Sequence, residues 1–260
     1  MVGTETNITN YGANTAERLG LAQLYSKRVA PTSAWSDMGG DEHFVQFYED
    51  DNYIVSSIAE YVIHGLRSGE TCIVAATGEH LAAVENIINS FTSGLEAARS
   101  EGKYIPLNAV DTLSKFMVGK TPDAKLFSSV IGEIMANAAK RGHRIRVFGE
   151  MVGVLCCEGN YAGAIALEKL WNELREEYPF SLFCAYSMDG LNNSSATDNM
   201  AHICDGHSRV IPNESYTSLT NSSDRLKAIA VLQQRSKQLE AEVAELERRI
   251  TLKQSTLQAA

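Results

Sequence analysis

From residue 43 onward, apolar and polar positions fall into short blocks whose period alternates between two and about 3.6. HFVQFY (43–48) is a β-type run, and the EDDN after it supplies N-cap chemistry for a helix. That helix carries Ile54, Val55, Ile58, Ala59, Val62, Ile63 and Leu66 at spacings of three and four, and Gly69 stands where a left-handed residue would end it. CIVAA (72–76) is a continuous apolar run, as expected of a strand covered on both faces. A helix from Glu79 to Phe91 and a strand from Tyr104 to Leu107 follow. Next come a helical piece over Thr112–Met117, a GKTPD turn, and a helix from Asp123 to Arg141 that Gly142 ends. Ile145–Phe148 predicts a fourth strand, followed by a loop carrying Glu150 and Glu158, a helix over 162–178 and a fifth strand over Phe180–Tyr186. Strands alternating with helices imply an α/β fold of three layers around a mostly parallel central sheet.

The flanks differ in kind. Residues 1–40 are polar and weakly periodic, and read as an N-terminal arm with a short helix over Thr15–Arg28. Asp189–Asn199 reads as a loop, and a helix carrying Ile203, His207 and Val210 runs toward Pro212. Ser215–Ser223 reads as a polar linker. Beyond it Ile229, Ser236, Val243, Ile250 and Leu257 recur every seven residues, with Leu232, Leu239 and Leu246 at the matching d positions. This heptad pattern predicts a coiled coil over 226–258 and, through it, a homodimer. A single amphipathic helix folded back on the domain is the other reading. The expected organisation is an arm (1–40), a central domain (41–216), and a linker with coil (217–260).

Composition narrows the function. Hydrophobic content of 44% and charged content of 21% are ordinary for a globular chain. A net charge of -9 argues against direct nucleic-acid binding, which needs a concentrated basic surface. No apolar run approaches the roughly 20 residues that span a bilayer, and the N-terminus lacks the features of a secretory signal. Five cysteines suggest no disulfide framework. A cytoplasmic protein without membrane contact is expected.

Candidate chemistry is sparse. A phosphate-binding loop needs Gly-x4-Gly-Lys-Ser/Thr between strand and helix. Gly119-Lys120-Thr121 has the final triplet, but Ser114 replaces the first glycine, and the turn after the first strand is acidic. Glu150, at a strand end, reads either as a ligand acceptor or base, or as a structural carboxylate that caps backbone N–H groups or pairs with Arg146. Glu158 reads as part of the turn and N-cap of the next helix, and Cys156-Cys157 as two buried thiols. Cys204 and His207 converge on a helix face, but a complete metal site would need ligands from another segment, so no metal is expected. Gln46, Tyr48, Glu49, Glu150, Trp171 and Tyr186 are the ligand-binding candidates, gathered near the C-terminal edge of the sheet, where such folds bind ligands. No catalytic residue is assigned and the cofactor is unknown.

HFVQFYEDD, GETCIVAAT, YIPLNAVDTLSKFMV, RVFGEMV, EGNYAGAIALEKLWNEL, FSLFCAY and HSRVIPNESY, in order over residues 41–216, resemble the MEDS domain, the DcmR-like sensory domain of methanogen and methylotroph regulators. The resemblance implies a RecA/KaiC-like core without its phosphate loop, which senses small molecules, hydrocarbon derivatives among them. LKAIAVLQQRSKQLEAEVAELERR is similar to the helix that follows this domain in sensor histidine kinases. Output is then expected through a separate histidine kinase or transcription regulator, or through the coil. The expectation is a non-catalytic small-molecule sensor; a divergent nucleotide-dependent enzyme and a ligand-free adaptor are the alternatives.

Overall fold

The computed structural model describes residues 40–191 and 196–258. The expected arm and its helix over Thr15–Arg28 lie outside these residues. The chain divides into two compact units after Glu214.

The first unit is built on six parallel strands in the order β3-β2-β6-β7-β1-β8. They are β1 (His43–Tyr48), β2 (Thr71–Ala76), β3 (Tyr104–Asn108), β6 (Ile145–Gly149), β7 (Phe180–Ser187) and β8 (Arg209–Ile211), while β4 (Met117–Val118) and β5 (Thr121–Pro122) form a separate antiparallel hairpin. Every residue of β1, β2 and β6 is buried, because helices cover both faces; most of these side chains are apolar, and His43, Gln46, Thr71 and Arg146 are the polar exceptions. Phe44, Val74, Phe148 and Phe183 point to one face, where α1 (Asp51–Arg67), α2 (Gly78–Phe91) and α3 (Leu95–Ser100) pack. Phe183 anchors it, stacked on Phe44 at 4.7 Å between centroids and edge-on to Phe148 at 5.0 Å. Full burial of one such side chain contributes about 1.5–3 kcal/mol.

Val45, Phe47, Ile73, Val147, Leu182 and Cys184 point to the other face. There lie α4 (Ala109–Leu113), α5 (Ala124–Phe127), α6 (Glu133–Ala139), α7 (Met151–Cys157), α8 (Tyr161–Glu177) and α9 (Ala196–Asp205). A π-helical turn, Ser128–Gly132, joins α5 to α6. It keeps Phe127, Ile131 and Met135, spaced by fours, on one buried stripe that a pure α-helix would rotate by about 80° over the same span.

Several local expectations are corrected. The segment after Glu150 is helix α7 rather than loop, seated where Gly153 passes β7; a Cβ there would lie 2.6 Å from the Ala185 carbonyl oxygen. Val210 belongs to β8, a sixth strand hidden in the sequence by its three-residue length and edge position, and α9 ends at Asp205. The helical piece at 112–117 ends at Leu113, and GKTPD closes the β4–β5 hairpin with Gly119 at φ +63°. Asn160, not Glu158, caps α8, accepting from the Gly163 N–H. The linker contains helix α10 (Glu214–Thr217). Asp50 caps α1, and Gly69 and Gly142 take the left-handed conformation their positions predicted.

The second unit is dominated by α11 (Ser222–Gln258). Leu232, Leu239, Val243, Leu246 and Ile250 are all exposed along it. No described helix is long and apolar enough to cross a membrane.

Candidate functional site at the C-terminal edge of the sheet

Connections leave β2 toward β3 and leave β6 toward β7, so the adjacent ends of β2 and β6 form a topological switch point. Glu150 sits there. Its N–H donates to the Ala75 carbonyl (2.8 Å), which aims the side chain back over the end of β2. One carboxylate oxygen accepts from the Thr77 N–H at 2.8 Å; the other meets His80 Nδ1 at 2.7 Å. The Tyr48 hydroxyl donates to that second oxygen at 3.5 Å, and His80 Nε2 lies 3.6 Å from Asp51. Glu150 is therefore a clip across the switch point, with its oxygens already engaged by protein donors. Arg146, the other suggested partner, instead pairs with Glu70 at the opposite end of the sheet and lies over the Tyr61 ring at 4.8 Å.

The electrostatics follow from burial and crowded carboxylates. Burial lowers the His80 pKa, but the Glu150 hydrogen bond and charge, helped by Asp51, outweigh it and raise the net value. Burial first, then Glu150, pushes the Tyr48 hydroxyl far above its usual range, so it serves as a donor. Cys157 is also pushed up by burial and by Glu150 and Asp189. Of the two adjacent thiols only Cys156 is buried, and both are free.

The turn after β1 carries a second arrangement. The backbone N–H groups of Glu49 and Asp50 both donate to the Glu214 carboxylate, at 3.1 and 2.6 Å to the same oxygen, and Glu49 Oε1 accepts from Asn213 Nδ2 at 2.6 Å. Amides after the first strand of a parallel sheet are where a phosphate would seat; here the chain's own carboxylate takes them.

The six ligand candidates separate. Tyr48, Glu49 and Glu150 meet at this edge. Gln46 lies below it, fully buried, donating to Ser57 Oγ at 3.2 Å. Tyr186 faces the α8 layer and donates to Glu168 at 2.6 Å. Trp171 packs edge-on to Phe127 and lies 6.1 Å from Phe180, the first residue of β7, so it belongs to the other end of the sheet. Two cavities open at that end, one of about 300 Å³ lined by Ile63, Leu66 and Ala98, and one of about 380 Å³ lined by His64, Glu70, Arg144 and Arg146. Sequence reasoning missed His80 and Glu214. Thr77 caps α2, its hydroxyl accepting from the His80 N–H at 3.4 Å, but nothing along the chain joins that turn to residue 150. Cys204 is half-buried, while His207 turns inward toward Glu168.

Fold and edge together describe an α/β domain whose strand-end turns carry polar groups in place of a phosphate loop. The MEDS profile, for the MEthanogen/methylotroph, DcmR Sensory domain, matches residues 42–202. This is more than half of the chain, and the chain belongs to the MEDS family of sensory domains. No curated protein matches it.

Proposed function

We propose that this chain is a non-catalytic, cytoplasmic signalling protein that binds a small molecule at the C-terminal edge of its sheet and relays occupancy through the segment after Glu214. The ligand competes for Tyr48, His80 and the Glu49–Asp50 turn. One observation carries this reading. Glu214, the last residue of the sheet-bearing unit, is hydrogen-bonded to the backbone of that edge. A ligand that binds only when Glu214 is released, or only when it is seated, shifts the population of the two arrangements. The exposed a/d stripe of α11 supports a homodimer through 226–258, and a histidine kinase or transcription regulator is the partner class. Free cysteines fit a reducing compartment. A catalytic role for Glu150 is disfavoured because its oxygens are already occupied by Thr77, His80 and Tyr48.

Calorimetry against small organics, metabolites and nucleotides, followed by hydrogen exchange on the hits, tests the proposal. Protection at Thr77–His80 and Glu49–Asp50 is expected. Protection confined to Glu70 and Arg144–Arg146 would move the site to the opposite cavity, and nucleotide turnover would replace the sensor with an enzyme.

A further inference from the structure

Beneath α8, away from the sheet edge, four metal-ligating side chains from four segments converge in the core. His43 opens β1, Glu168 projects from the middle of α8, Cys184 lies in β7, and His207 precedes β8. All four are buried, and one donor atom from each lies within 4.8 Å of every other. His43 Nε2 is 3.3 Å from both Cys184 Sγ and Glu168 Oε2; Sγ to Oε2 is 3.8 Å, and His207 Nε2 to Glu168 Oε1 is 3.5 Å.

These separations carry the argument. Bonds of about 2.0–2.3 Å to a tetrahedral zinc ion place its donors roughly 3.3–3.8 Å apart. The outward ring nitrogens are held as metal-bound histidines require. His207 Nδ1 donates to the Ile203 carbonyl at 2.5 Å, and His43 Nδ1 faces Asn172 Oδ1 at 2.9 Å. A carbonyl can only accept, so the neutral His207 ring carries its proton on Nδ1 and turns the Nε2 lone pair inward. That Nε2 is buried without a hydrogen-bond partner. Tyr186 donates to Glu168 and orients the carboxylate. One carboxylate and one thiolate would neutralise a divalent ion, which a buried site requires.

We propose that His43, Glu168, Cys184 and His207 form a closed four-ligand site for a zinc-class divalent cation. On binding, the cysteine thiol gives up its proton to solvent, the two imidazoles bind as neutral donors, and the glutamate binds ionised. Four protein ligands leave no open position for substrate, so the ion is structural or regulatory. It ties β1, α8 and β7 to the segment that leads into β8. The inference is independent of the ligand reading at the sheet edge.

The test uses the full-length chain, expressed in cobalt-supplemented medium and purified reduced without chelator. One cobalt per chain is expected, with the intense visible bands of a four-coordinate site and a thiolate-to-cobalt charge-transfer band, displaced by added Zn2+. Cys184→Ser should abolish the charge-transfer band, whereas Cys204→Ser should leave it unchanged. Asn172→Ala keeps all four ligands and removes only the group behind His43; cobalt affinity should fall about 10- to 100-fold. Cys184→Ser could fail to fold, and the asparagine variant keeps the proposal exposed to refutation. Absence of bound metal, a weak six-coordinate spectrum, or a charge-transfer band lost in Cys204→Ser would each overturn it.

Discussion

Replacing Glu150 by alanine removes one acceptor from three groups at once, on β1 and at the start of α2. The Thr77 N–H at 2.8 Å and His80 at 2.7 Å lose their partner, and the more distant Tyr48 hydroxyl is loosened. Hydrogen bonds to a charged group contribute about 1.5–3 kcal/mol each, and part of the Thr77 loss is recovered by water. A total cost of about 3 kcal/mol is expected. For a unit of this size that corresponds to a fall on the order of 6–12 °C in Tm. Glu150→Gln keeps an oxygen for Thr77 and should cost about 1 kcal/mol. The two variants also separate charge from shape. The His80 pKa is raised in the folded state, so its contribution is fully present below the unfolded value near 6.5 and is lost as pH rises through the folded value. The gap between wild type and Glu150→Gln should therefore be widest at mildly acidic pH and narrow on going alkaline. Urea unfolding followed by circular dichroism at a series of pH values measures it. A gap that is constant with pH, or that widens toward alkaline pH, would refute the assignment of the Glu150–His80 pair as the source.

Further predictions bear on other parts of the molecule. Gly153→Ala forces α7 away from the Ala185 carbonyl and should destabilise by about 1–3 kcal/mol, read from the denaturation midpoint. Glu214→Ala releases the Glu49 and Asp50 amides, and their hydrogen exchange should quicken while the central strands keep their protection. Truncation after Asn221 should give a monomer with an unchanged sheet signal; a dimer by light scattering would place the interface elsewhere.

Legibility in the sequence followed distance along the chain. Asp50 as a cap, Gly69 as a stop and the double-sided burial of CIVAA are consequences of residues within a turn or two of one another, and they were readable. The Glu150–His80 contact spans 70 residues and depends on β6 lying beside β2, a strand order that local pattern does not encode. The same holds for His43 and Glu168, which share no segment. Trp171 shows how direction misleads: α8 starts at the strand-end edge and runs back along the sheet, so its eleventh residue lies roughly 15 Å from where it starts. An expected place at the C-terminal edge of the sheet grouped Trp171 with Glu150 and Tyr186, and helix polarity separates them.

In the proposed sensor, Glu214 also sets a selectivity condition. Its carboxylate is tethered to the amides it occupies, and a tethered group acts at an effective concentration of order millimolar or higher. Any external anion seeking the turn after β1 competes against that standing concentration. Inorganic phosphate or a common carboxylate, binding through the amides alone, gains little over the tethered group. A ligand that also engages His80 or Tyr48 adds contacts the tether does not make. In the proposed sensor the intramolecular carboxylate would thus act as a threshold, quieting the response to abundant small anions while leaving it open to a molecule that reaches across the switch point.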